Sequence, residues 1–483
     1  MTDIKYLAQI ASVALVAVLV IITSVLLAIG IFQSQTAYVY LALSMICFML
    51  PAMVGLRNLA RFDPFEPINI IAAGIFFSVT IRAFYVTGYD TQRTEFVMMG
   101  QSFDGIIANS PLIVVGILSL CLGYIVINSR YSIEDTKVLR FFRLDYRRSW
   151  VAIILFTFLG LLGTVLFINN FGISIDADLL SQSVKRNTVL IDDNGEAVYG
   201  TGYEVFLARM ASYALIFLSA LFLTRSIKIS PIHLFALGIV IILTITMPFL
   251  SSSRSKIIFP LLTIITFAFY WRRVSLKFVL ATALAISIIM VGMGFLRASN
   301  QSGSQREASI EFIVGATNGL DLARSAAIIE RVPENHDYLY GTSYLALLTS
   351  PIPRSIWVEK PNPSLGAWVK GELFGYSVKK NGWPPGMIAE AYVNFGVFGV
   401  PAIMFALGGL MRWSYETFRP LLGVDFPATL IWCSCLWDIS WDMFGLNFAQ
   451  GVLQTLQFFF PMLIILLIAK RSKRMPVRVM RRV

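Results

Sequence analysis

Apolar runs of about 20 residues recur along the whole chain, each long enough to cross a ~30 Å hydrocarbon layer at 1.5 Å per residue. A segment immersed in hydrocarbon has to satisfy its own backbone hydrogen bonds, so runs of this kind fold as helices. Composition follows from that constraint: hydrophobic residues make up 57% and charged residues 14% of the 483, against roughly 25% charged in a soluble domain. No soluble domain can be cut out, and residues 1–483 read as a single integral membrane domain. The run from Leu7 to Phe32 is too long for a signal-peptide core and lacks a small-residue cleavage site, so it reads as a retained helix. Spans are expected near 7–31, 37–56, 67–87, 110–128, 150–169, 205–224, 231–250, 256–271, 276–296, 388–411, 421–441 and 450–469. The expected fold is all-α and polytopic, with about 12 transmembrane helices.

Charge gives the orientation. One set of connections holds Arg57 and Arg61, the group from Arg130 to Arg148, Arg225 and Lys228, Arg272, Arg273 and Lys277, Arg412 and Arg419, and the tail from Lys470. Short loops rich in Lys and Arg stay in the cytoplasm, so that side is read as cytoplasmic, with both termini there. The net charge of +11 then belongs to a membrane surface and not to nucleic-acid binding. All four cysteines fall inside apolar runs and read as small buried hydrophobes. Two histidines exclude a His-rich metal centre.

Two segments on the opposite side are too long for simple turns. Residues 170–204 are acidic. Residues 297–387 form a large external loop, with amphipathic spacing from Glu311 to Arg331. A Pro- and Trp-rich stretch over 351–386 is expected to make a structured, non-helical cap. The acidic triplet Asp176-Ala177-Asp178 reads as a solvated stretch; no metal site and no cofactor are expected.

Ionisable residues within spans mark functional sites, and here they gather toward the external end. Arg82, Arg209, Arg254, Lys256 and Arg297 are the cations; Glu390, Asp438 and Asp442 are the acids. That level suits a lipid headgroup, whereas transporters bind cargo near the midplane. Guanidinium groups bind phosphate oxygens bidentately and stay charged. Arg254, behind three serines, is the strongest candidate, with snorkelling or a helix-end ion pair as the plainer role. Asp438 and Asp442, four apart on one helical face, are open to pairing with the arginines. Trp432, Trp437 and Trp441 read as an interfacial belt, with a platform for sugar as the alternative. Arg324 and Arg331, with Asp321, either line a groove for glycan or form surface ion pairs.

The runs Tyr340-Gly341-Thr342-Ser343-Tyr344, Pro351-Ile352-Pro353-Arg354-Ser355-Ile356-Trp357 and Pro385-Gly386-Met387-Ile388-Ala389-Glu390-Ala391-Tyr392-Val393-Asn394-Phe395-Gly396 precede two final helices. In this order, with the Ser253-Arg254-Ser255 turn, they resemble the Wzy-type O-antigen polymerases over roughly 250–410. The resemblance implies a GT-C-like glycosyltransferase architecture working without a metal. It also implies an undecaprenyl-diphosphate-linked glycan donor and a lipid-linked repeat unit as acceptor. These substrates place the chain in the bacterial cytoplasmic (inner) membrane, among membrane lipids, with a chain-length regulator as an expected partner. Tyr340 and Arg354, inside the matching runs, join Arg82, Arg209, Arg254, Lys256, Arg297, Arg324, Arg331 and Asp442 as expected substrate-binding residues. The catalytic set is Arg254 with a base, either His336, whose imidazole suits proton transfer near neutrality, or Glu390; the plainer roles are a surface histidine for His336 and a helix cap or ion-pair partner for Glu390. A ligase of finished glycan and a flippase of the lipid-linked unit are the competing functions.

Overall fold

The computed structural model describes residues 35–57, 62–88, 103–127, 144–170, 190–191, 197–198, 202–225, 230–250, 255–272, 274–275, 277–278, 281–282, 322–350, 352, 357, 365–376 and 382–470. Within them the chain is helical apart from a two-residue antiparallel ladder, β1 (Leu190–Ile191) against β2 (Ala197–Val198). Eight of the described helices are long and apolar enough to cross a membrane, and Ile257–Arg272 is a shorter apolar one. The expected span at 7–31 and nearly all of that at 276–296 lie outside the described residues. The protein is a helical, multi-pass membrane protein.

In chain order the helices are α1 (Gln35–Leu56), α2, α3 (Phe103–Val126), α4 (Tyr146–Asn170), α5 (Gly202–Ala208), α6 (Met210–Leu223), α7 (Pro231–Leu250) and α8 (Ser255–Arg272). Helix α2 runs over Pro67–Ile75, widens into a π turn at Phe76–Thr80 and resumes over Ile81–Gly88. Three short helices follow, α9 (Leu322–Arg331), α10 (Thr342–Thr349) and α11 (Leu365–Trp368). The last three are α12 (Gly386–Phe418), α13 and α14 (Phe448–Ala469). Helix α13 covers Phe426–Trp437, passes through a π turn at Asp438–Asp442 and closes at Met443–Gly445.

Polar contacts tie the Lys- and Arg-rich connections together at one end of the bundle. Arg412 of α12 donates to Glu66 at 2.9 Å and also pairs with Glu416; Arg57 reaches Glu66 at 3.3 Å and Tyr124 of α3 donates to it at 2.9 Å. Tyr270 of α8 and Tyr415 of α12 both donate to Asp63 at 2.8 Å. Burial pushes the carboxyls of Asp63 and Glu66 above their ordinary range, against the pull of these partners. At the same end Asp145 N–H donates to Ala469 O, joining the start of α4 to the close of α14. His233, 8% exposed, staples α7 to α4: it stacks on Trp150 at 5.0 Å and shares a 3.0 Å hydrogen bond with the Tyr146 hydroxyl. The helix ends that charge assigns to one side therefore do meet.

Helices α3 and α12 pack backbone against backbone. A methyl group at Gly123 would overlap the carbonyl of Phe405, and one at Gly408 would overlap that of Leu120. Lipid gives helices no hydrophobic reason to associate, so small residues that let backbones touch supply the packing. Helix α12 is broken at Gly396, whose φ of +67° and ψ of −158° are not helical. A side chain there would be strained, and its Cβ would press on Tyr338. The single span expected at 388–411 is thus a short helix, a corner, and a longer helix reaching Phe418.

The long segment before α12 differs from the expectation. The amphipathic helix is seen over Leu322–Arg331, and residues 322–329 are buried all round, with none left as a surface face. It packs against α3 and α12. The Pro- and Trp-rich stretch is not wholly non-helical either, since α11 continues into a π turn at Val369–Leu373. All four cysteines are free and buried.

Candidate active site

Two polar clusters lie in the bundle away from the Lys- and Arg-rich end, joined by the break between α13 and α14. The first is built on Arg209, the turn residue between α5 and α6. Its Nη1 donates to Gln457 Oε1 of α14 at 2.9 Å, and Tyr213 one turn on donates to Gln457 O at 2.7 Å. Its charge acts on both Asp438 and Asp442. Those acids are 1% and 5% exposed and sit in a π turn. The extra residue in such a turn displaces the face that an α-helix would present. Asp438 Oδ1, Ser440 Oγ and Gln450 Oε1 are buried with no hydrogen-bond partner among the described residues, so the cluster has polar capacity to spare. Seven helical residues precede Arg209, and the fourteen of α6 span about 21 Å from it to the positive end. Arg209 therefore stands inside a span, two turns from its start and in the half of the bundle away from the positive end.

The second cluster centres on Glu390, which is fully enclosed. Its Oε1 accepts from Ser343 Oγ of α10 at 2.9 Å and its Oε2 from the backbone N–H of Phe448 at 2.6 Å. Asn447, the N-cap of α14, makes no side-chain cap of its own. Glu390 thus caps α14 from another helix, its carboxylate set against the positive end of the helix dipole. Asn394, one turn further along α12, donates to Ser343 Oγ and to Glu390 O, both at 2.8 Å. The turn 443–447 is fastened to both clusters, with Leu446 N–H donating to Asp442 O at 3.0 Å and Gly386 N–H to Leu446 O at 2.8 Å.

Over these clusters lies the segment from Val332 to Thr349. His336 is half-buried, edge-on to Trp368 with ring centroids 5.8 Å apart. Tyr340 is 76% exposed. It and Gly341 have φ of +46° and +88°, and Thr342 N–H donates back to Leu339 O at 3.0 Å. That is a type I′ turn. A left-handed conformation costs a side-chain-bearing residue roughly 1–2 kcal/mol.

The remaining expected residues fall as follows. Arg254, Arg297 and Arg354 lie outside the described residues, as do Asp321 and the Lys256 side chain. Arg82 is 1% exposed, inside α2. Arg324 is not at the surface: it is 2% exposed and its Nη1 donates to Pro384 O at 3.0 Å. Arg331 lies 4.3 Å over the Phe374 ring. Trp432 is 1% exposed and stacks on Phe418 at 5.4 Å, and the Trp441 ring fills the space over Gly74, so these two pack within the bundle. Gln457, Tyr213, Asn394 and Ser343 were missed. Only Asn394 had a readable signal, its place four residues after Glu390 on one helical face. Among the described residues no three His, Cys, Asp or Glu side chains could hold a metal ion.

Fold and site together define a class: a multi-pass helical membrane protein with an arginine and buried acids gathered in the half of the bundle away from its Lys- and Arg-rich end, beside a folded segment carrying an exposed aromatic. The family model for O-antigen polysaccharide polymerase Wzy matches residues 13–474, and the chain belongs to that family. It is accordingly a polymerase of the glycosyltransferase type. Comparison with curated proteins and with solved structures gives no match.

Proposed function

We propose that the chain polymerises undecaprenyl-diphosphate-linked repeat units at the outer face of the bacterial cytoplasmic membrane, with both termini inside, about 12 spans and a GT-C-like architecture. Residues 170–204 and 297–387 are its external loops, and a chain-length regulator is its expected partner. The observation that supports the reading is the placement of Arg209 beside the buried acids Asp438 and Asp442, inside the helical bundle of a chain of this family.

A hydroxyl oxygen of the acceptor glycan bonds to the donor's anomeric carbon, and the bond from that carbon to the diphosphate oxygen breaks. The carrier diphosphate leaves with the electron pair. Its developing charge needs fixed cations more than it needs a proton. Arg254 and Arg209, with Arg82, Lys256 and Arg297, supply them without a divalent ion. Asp442 and Asp438 hold Arg209 in place. Arg324, Arg331 and Arg354 belong to the loop that covers the glycan. The hydroxyl proton passes to His336, the imidazole on the half-exposed turn, while Glu390, with both oxygens already bonded, holds the frame.

A strain lacking the gene should carry surface glycan of a single repeat with no longer rungs. Total loss of glycan would point instead to a ligase or a flippase. Restored Arg209→Lys and Arg254→Lys chains should give little polymer at normal abundance, because an ammonium cannot reproduce the bidentate fork. Arg147→Ala, at the positive end, should restore the full ladder. Full ladders from Arg209→Ala and Arg254→Ala would end the arginine assignment.

A further inference from the structure

The Tyr340-Gly341 corner is held more firmly than an exposed turn requires. Leu339 N–H donates to Val393 O at 2.9 Å, and Gly341 N–H donates to Asn394 Oδ1 at 2.9 Å. Asn394 is itself wholly buried and fixed through Ser343 and Glu390. Type I′ turns favour Asn followed by Gly, because both central residues have positive φ. Here a tyrosine takes the strained first position. Strain of this kind persists where the surrounding structure enforces it, and it gathers at functional sites.

The enforced position has one product. Tyr392 (7% exposed), Tyr338 and Tyr340 form an edge-to-face row, with centroids 6.0 and 6.3 Å apart. The Tyr392 hydroxyl anchors the inner end on Val332 O at 2.9 Å. The outer ring is oriented by its neighbour yet open over most of its surface. A rigid, amphipathic ring offers a large contact area at little entropic cost. Beside the polar Glu334-Asn335-His336-Asp337 turn, such a ring suits the C–H face of a pyranose, with hydroxyls left to the polar neighbours.

We infer that Tyr340 is a stacking platform for a sugar of the incoming repeat unit, and that Asn394 is the positioning residue that aims it. This rests on the polymerase reading but concerns the glycan, not the diphosphate. Asn394 acts at a distance through the turn, and Tyr340 touches the substrate.

The test uses full-length protein in membranes with lipid-linked repeat units extracted from the producing strain, at equal protein level. Tyr340→Asn suits the turn and removes the ring. It should leave thermal stability unchanged or raised, increase KM for the lipid-linked unit on the order of tenfold, keep kcat within about threefold and shorten the chains. The tenfold figure corresponds to the loss of one aromatic contact of about 1.4 kcal/mol. Tyr340→Phe, which keeps the ring, should restore KM. Asn394→Leu should raise KM in the wild-type background and add little in the Tyr340→Asn background, since coupled residues are not additive. Should Asn394→Leu not fold, Gly341→Ala disturbs the same corner, its Cβ meeting Phe395 at 3.2 Å in a left-handed backbone, and the same cycle applies. An unchanged KM in Tyr340→Asn overturns the proposal. So does lowered membrane abundance with unchanged KM, which would make the ring a headgroup anchor. Wild-type protein that forms no polymer from these units would remove the polymerase reading itself, and this proposal with it.

Discussion

Glu390 shows how one side chain can carry a motif and yet do its work away from the substrate. Its matching run marks it as a candidate base, but Ser343 and the Phe448 N–H occupy its two oxygens and it has no exposed surface. Glu390→Gln turns one acceptor into a donor facing donors, a loss of about 1–3 kcal/mol. The expected result is lower abundance or melting temperature with turnover per folded molecule within about threefold of wild type. His336→Ala should do the reverse, with normal stability and turnover down on the order of 10². Purified protein assayed on lipid-linked units at matched folded concentration separates the two. A Glu390→Gln protein that is stable but inactive would return the base to Glu390.

At the level of elements, hydropathy located the eight spans seen among the described residues because a span's length and polarity are local properties. It could not locate interruptions. The π turn at Asp438–Asp442 and the corner at Gly396 sit against other elements: the Trp441 ring packs on Gly74 of α2, and Tyr338 packs over Gly396. Arg324 misled for the same reason. Amphipathic spacing says that one face is apolar, but α9 lies inside the protein, where the polar face is also covered and Arg324 finds a backbone carbonyl. The acids and Arg209 were legible as costly residues in apolar surroundings; Gln457 and Tyr213 were not, since uncharged polar residues are common in spans. The α3–α12 contact gives a test at this scale. Gly123→Leu or Gly408→Leu pushes a side chain into the facing backbone, at a cost of 1–3 kcal/mol or more. Abundance and melting temperature should fall, with polymer falling in proportion. Unchanged stability in both would mean that the helices stand further apart.

For the whole molecule, the two ends of the bundle are chemically unlike. One is stitched by Glu66, Asp63 and their arginines and tyrosines; the other holds the acid–arginine cluster and the long folded segment. If the positive end faces the cytoplasm, a cysteine placed at exposed Asp337 should react with an impermeant thiol reagent in intact spheroplasts. One at exposed Arg147 should react only after permeabilisation. The native cysteines are all buried and should contribute little background. Labelling of residue 337 only from the cytoplasm would invert the orientation and remove the site from the outer face.

The cap borrowed by α14 bears on how the chain is made. Synthesis delivers Ser343 and Glu390 well before Phe448, so the acceptor is waiting when the last helix arrives to offer its N–H. A nascent chain stopped before Phe448 has a carboxylate in its interior without its main-chain donor, an expensive vacancy. Arrival of α14 is thus the event that supplies that donor.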